Sequence, residues 1–133
     1  MGTIKEFVAK NKMKMEVEET GENPSMSDPK WEARHYKCLI HCGGRRATFY
    51  YSMGMSHEKE PELEGVLDCL ASDVSSVVCA RHFEEWARDL GYDTDSRRAE
   101  AIYKSCLEIT RKLKRIFVDE NAFKELLFNT ERL

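Results

Sequence analysis

Four potential zinc ligands crowd eight residues of this chain: His35, Cys38, His41 and Cys42. Zinc takes thiolate and imidazole donors that converge to about 2.0–2.3 Å of one point. The same segment alternates its polar and apolar residues, which is the period of a strand. On a strand Cys38 and Cys42 share a face but stand roughly 13 Å apart, at about 3.3 Å per residue, and His35 and His41 point the other way. No second ligand pair follows at finger spacing, so the pattern argues for a strand and against a metal site. Asp89, Asp93 and Asp95 raise calcium instead. Counted from Asp93, the fifth and sixth places of an EF-hand loop, which want a carboxylate or amide and then Gly, hold Arg97 and Arg98. Helix capping by Asp93 or Asp95 is the better account. A nucleophile needs an oriented base beside it. Cys69 follows Asp68, with His57 and His82 elsewhere in the chain, but no nucleophile elbow or Gly-rich phosphate loop is present. The reading is of no catalytic residue, no cofactor and no metal, and so of a protein that is not an enzyme.

What remains is charge. Asp95 to Phe117 has the period of an amphipathic helix, with Ile102, Tyr103, Cys106, Ile109, Leu113, Ile116 and Phe117 on one stripe. Seven basic and two acidic residues fall in residues 96–117, so this helix carries +5 in a chain of net charge −3. Arg97, Lys104, Arg111, Lys112 and Arg115 are the candidates for following a phosphate backbone. Tyr50 and His41 on an open sheet face are candidates for stacking bases. An isoelectric point near 5.8 weighs against a polyanion as partner. The densest acidic patch is Glu58, Glu60, Glu62 and Glu64 with Asp68. A protein partner with a cationic channel would recognise such a patch, together with Tyr50, although acidic residues also suit the positive end of a helix.

The elements that must position these groups are legible in outline. Thr3 and Glu6 form a capping box before a helix over Ile4 to Asn11. Met13, Met15 and Val17 alternate with Lys14, Glu16 and Glu18, a half-buried strand near 13–19. Residues 20–33 are rich in Gly, Asn, Pro and Ser and are expected to form a surface loop. Strands near 34–42 and 47–55 flank Gly43-Gly44, a hairpin signal. With Cys42 opposite Arg45, the pairs Ile40–Ala47, Cys38–Phe49 and Tyr36–Tyr51 fall on one face. His41–Arg46, Leu39–Thr48 and Lys37–Tyr50 fall on a wetter one. Pro61 suits a helix's first turn, and Leu63, Val66, Leu67 and Leu70 form that helix's inner stripe. Ser72, Ser75 and Ser76 suggest a break. Phe83, Trp86, Ala87 and Leu90 line a further helix that Gly91 stops. Asp119 caps a last helix, with Phe123, Leu126 and Leu127 inward. The sum is an α+β fold: a small three-stranded antiparallel sheet covered by an N-terminal helix and about four C-terminal helices.

At 133 residues, with 41% hydrophobic and 34% charged residues, the chain reads as one globular domain over 1–133. No apolar run approaches the roughly 20 residues a membrane span needs, and Glu6 stands where a myristoylation motif wants Ser or Thr. Five cysteines, an odd number at apolar positions, read as buried reduced thiols in a cytoplasmic protein.

Four segments carry a family resemblance. They are Glu22-Asn-Pro24, Tyr51-Ser-Met-Gly-Met-Ser-His57, Val66-Leu-Asp-Cys-Leu-Ala-Ser-Asp73 and Phe83-Glu-Glu-Trp-Ala-Arg-Asp-Leu-Gly-Tyr-Asp-Thr-Asp-Ser-Arg97. Together they resemble the small accessory proteins encoded in bacteriophage and prophage genomes, from about Glu22 to Phe117. That resemblance implies a bacterial cytoplasm during infection. It also implies stoichiometric binding to a host protein or ribonucleoprotein complex, such as inhibition of a CRISPR–Cas defence system, with nucleic-acid binding by a phage regulator as the other expectation. It brings no catalytic residues.

Overall fold

Thr3 caps the first helix as its sequence predicts, but only half of the expected capping box forms, because the Glu6 carboxylate meets the Thr3 hydroxyl and not its backbone N–H. The Thr3 hydroxyl accepts the Glu6 N–H at 3.2 Å and donates to the Glu6 carboxylate at 3.3 Å. The computed structural model describes residues 2–21, 23, 33–54 and 59–132. Most of the loop expected at 20–33 lies outside these, as do Glu58 and His57.

The elements run β1 (Gly2–Thr3), α1 (Ile4–Lys10), β2 (Lys14–Thr20), β3 (Arg34–Cys42), β4 (Arg45–Met53), α2 (Leu63–Val78), α3 (Phe83–Asp89), α4 (Arg97–Ile116), α5 (Glu120–Phe128) and β5 (Thr130–Glu131). Strands β2, β3 and β4 form an antiparallel sheet in that order. Every pair expected across the hairpin is found, from Cys42↔Arg45 to Tyr36↔Tyr51. Gly43 and Gly44 have φ of 56° and 85°, the left-handed pair that a two-residue hairpin turn needs. So tight a turn leaves only Gly43 and Gly44 between the strands, and β4 starts at Arg45 rather than at Ala47. A separate parallel pairing, Gly2↔Thr130 and Thr3↔Glu131, joins β1 to β5 and has no signal in the sequence.

Helix α2 overturns the break expected at its serines. Ser72 Oγ donates to the Asp68 carbonyl at 3.1 Å and Ser76 Oγ to the Asp73 carbonyl at 2.6 Å. The hydroxyls are thus satisfied inside the helix instead of competing with it. Buried Ala71, Val74 and Val77 carry the apolar stripe past them. Pro61 lies outside the first turn, before Glu62 at the N-cap. Helix α4 is capped by Ser96, whose Oγ accepts the Ala99 N–H at 3.1 Å, and not by Asp93 or Asp95. His82 caps α3 and Asp119 caps α5. Gly91, at φ 78°, ends α3 in a Schellman arrangement, with Tyr92 N–H bonded to the Ala87 carbonyl at 2.7 Å. Leu90, expected inward, is the C-cap of α3 just before that stop and is half exposed.

The helices cover one face of the sheet. Tyr36, Cys38, Ile40 and Phe49 pack there with the stripes of α1, α2, α4 and α5. A second cluster holds Trp86, Ala87, Ala99, Cys106 and Val77, with Phe83 and Tyr103 against it. Helix α4 also reaches the open edge of β4: Lys112 Nζ donates to the Thr48 carbonyl at 2.9 Å, with its ammonium 5.9 Å from the Phe49 ring centre. None of the described helices is long and apolar enough to cross a membrane.

Candidate functional site

The two ends of the sheet carry opposite charge. Where β4 finishes and α2 begins, Glu60, Glu62 and Glu64 line one cleft of about 500 Å³ with Lys5, Lys59 and Tyr51. Glu62 is the N-cap of α2 and Glu64 lies in its first turn, so both meet the positive end of the helix dipole. Glu60 contributes, after the Glu19 hydrogen bond that dominates, to raising the Arg34 guanidinium above its ordinary value. The fold therefore assembles three of the expected partner-binding residues. Asp68, one turn along α2 from Glu64, faces Arg132 at 3.9 Å. Tyr50 lies on the other face of the sheet, opposite Lys37. Glu58 lies outside the described residues.

Tyr50 borders a second cavity of about 280 Å³, between the β4 edge and helices α2 and α4, with Tyr51, Cys69, Asp73 and Cys106 among its walls. Enclosure raises the Asp73 carboxyl to about 6, and no ion pair among the described residues includes it. Because the folded protein holds this proton more tightly than the unfolded chain, the contribution to stability is present below about pH 4 and lost as pH rises through 6. The side chain keeps solvent access at the cavity mouth, which reduces the effect. Asp73→Asn is therefore expected to match the parent's melting temperature at pH 4 and exceed it at pH 7, with the gap opening between. A constant gap across that range would remove this account.

Three of the five cysteines, Cys38, Cys42 and Cys106, are buried, whereas Cys69 and Cys79 are exposed on α2 and at its end, which corrects the expectation of five buried thiols. Burial pushes Cys38 up to about 11 and Cys106 up to about 12, and burial with a Cys69 hydrogen bond pushes Tyr51 up to about 12. Cys38 and Cys42 are buried on the core face, and among the described residues no group of three His, Cys, Asp or Glu could hold a metal ion. His35 is on the outer face as expected, yet it is buried. Its Nδ1 is 2.7 Å from Ser52 Oγ, which also accepts a 2.9 Å hydrogen bond from Asn23. The His35–Ser52 distance suits a base and a nucleophile, but the pair sits directly across neighbouring strands and fastens Asn23 to the sheet. Sequence reasoning missed this clasp, because Asn23 is 29 positions from Ser52.

The basic helix is less available than its sequence suggests. Lys104 pairs with Glu100 at 3.1 Å and Arg111 pairs with Glu108. Lys114 lies 5.4 Å over the Phe123 ring. Lys112 is turned into the fold, where burial, then the charges of Arg115 and Arg111, lower its affinity for a proton. Of the five expected nucleic-acid-binding residues, Arg97 and Arg115 remain exposed with no ion pair among the described residues. No protein-family model, no curated protein and no solved structure matches the chain.

Proposed function

We propose that this chain is a non-enzymatic phage accessory protein. It acts in the cytoplasm of a bacterial host by stoichiometric binding to a host protein or ribonucleoprotein complex, and inhibition of a defence system such as CRISPR–Cas is its leading role. The observation that carries the reading is the gathering of Glu60, Glu62 and Glu64 around one cleft. A row of carboxylates at the end of a rigid sheet presents the charge of a nucleic-acid backbone to a channel built for phosphate. Like-signed surface charge can occupy such a channel and exclude the polyanion. Lys5 and Lys59 line the same cleft and offset part of that charge.

The test is affinity capture from infected host lysate with tagged protein, followed by reconstitution from purified components. The expected result is one complex recovered at fixed stoichiometry. The variant Glu60→Gln, Glu62→Gln, Glu64→Gln should bind it at least tenfold more weakly while keeping its circular dichroism. Recovery of no partner, or equal binding by the triple variant, would overturn the proposal.

A further inference from the structure

The opposite end of the sheet gathers cations from three stretches of chain that are far apart in sequence. The α1–β2 turn brings Lys12 and Lys14, the hairpin brings Arg45 and Arg46, and the last turn of α4 brings Arg115. Contacts fix the three together. Arg45 Nη1 donates to the Arg115 carbonyl at 3.2 Å, and Cys42 Sγ lies 3.8 Å from the Asn11 carbonyl. Lys14, His41 and Arg46 stand in register across β2, β3 and β4, so they share the outer face. All five cations are exposed, and no ion pair among the described residues includes one of them. His41, between Lys14 and Arg46, is 2.7 Å from Glu16.

We infer that this cationic end, formed by the hairpin tip, the α1–β2 turn and the last turn of α4, is a binding surface for the phosphate backbone of a nucleic acid. Complementing a helix dipole explains Arg115, which closes α4. It does not explain Lys14 and Arg46, which lie on strands. Nor does the chain's net charge of −3 forbid the contact. Strand β4 has nine residues, so the acidic cleft beside Met53 is roughly 26 Å from the hairpin tip at about 3.3 Å per residue. At physiological ionic strength that is about three Debye lengths, and the repulsion is largely screened. Base edges are not read by such a surface, because its donors are long, exposed side chains and no element beside them is shaped to enter a groove. Binding is therefore independent of sequence and strongly dependent on salt. The inference goes beyond the acidic-cleft proposal and does not depend on it.

The experiment uses purified protein and a labelled mixed-sequence single-stranded DNA of 20 nucleotides, read by fluorescence anisotropy from 50 to 200 mM KCl. Four or five phosphate contacts give a slope of log affinity against log salt of about −3. Arg46→Gln with Arg115→Gln should reduce that slope by about half and weaken binding at 50 mM by at least about tenfold. Arg97→Gln with Lys104→Gln, at the far end of α4, should change it by less than about twofold. All four side chains are exposed, and circular dichroism checks that both variants fold. Three results overturn the inference: no binding at 50 mM, an unchanged slope in the tip variant, or a larger loss from the far-end variant. A fourth is polyglutamate competing as well as unlabelled DNA, which would make an acidic protein the occupant instead.

Discussion

Phe49→Ala lowers the free energy of unfolding by roughly 3–5 kcal/mol, as truncation of a fully buried aromatic does, and Tyr50→Ala costs about 1 kcal/mol or less. The residues are neighbours on β4 with opposite fates. Phe49 is 1% exposed, opposite Cys38, and packs under the helices. Tyr50 points to the outer face opposite Lys37 and borders a cavity that tolerates a smaller side chain. A domain of this size is stable by about 5–15 kcal/mol, so the first substitution threatens folding at 37 °C and the second does not. Urea unfolding followed by far-ultraviolet circular dichroism separates them. Equal losses would mean that the sheet's two faces have been exchanged. If Tyr50→Ala folds normally but fails to capture the host complex, the outer face belongs to the partner surface as well.

Trp86→Ala is expected to cost a similar 3–5 kcal/mol but to act on a different part of the molecule. Trp86 is 1% exposed and stacks on Tyr92, with ring centroids 5.5 Å apart. Tyr103 is at 5.2 Å and Phe83 at 6.1 Å. Its indole N–H donates to Ser76 Oγ at 3.1 Å, tying α3 to the end of α2. Removing the ring takes the centre out of the second cluster and leaves the sheet and its cover in place. Hydrogen exchange should therefore lose protection first in α3 and the first half of α4, while β3 keeps its own. Trp86→Phe keeps an aromatic ring and gives up the hydrogen bond, and should cost about 1–2 kcal/mol. A loss below about 1 kcal/mol for Trp86→Ala would show that α3 contributes little to folding.

Much of this architecture is written locally. The hairpin register follows from two strands whose alternation agrees residue by residue, and a one-residue slip would bury Lys37 and expose Phe49. The Thr3 and Asp119 caps are decided within three residues. The α4 cap was harder to read, because Asp93, Asp95 and Ser96 are all good caps within four positions. Only the residue directly before the helical dihedrals can serve. The serines of α2 misled because their usual preference for breaking helices yields when the hydroxyl can bond back and the apolar stripe continues. What the chain hides is distance. Lys112 meets the Thr48 carbonyl across 64 positions and Arg45 meets the Arg115 carbonyl across 70. No periodicity could have moved Lys112 from a binding face to a strand edge, or joined the hairpin to the end of α4. The acidic glutamates were visible as a run, whereas the cleft that collects them, with Tyr51 and Lys5 in its walls, needed the fold.

The way Lys112 sits on β4 also bears on how copies of this protein treat one another. An open sheet edge is a template on which a strand from another molecule can add, and long flat edges seed aggregates. Here one edge is guarded at its middle, since α4 packs on β4 and the Lys112 ammonium occupies the Thr48 carbonyl. The other edge, β2, sets Lys14, Glu16 and Glu18 on one face at every second position, so a second β2 laid antiparallel about Glu16 brings carboxylate against carboxylate before its backbone can engage. Both edges of this sheet thus carry side chains that oppose its growth by strand addition.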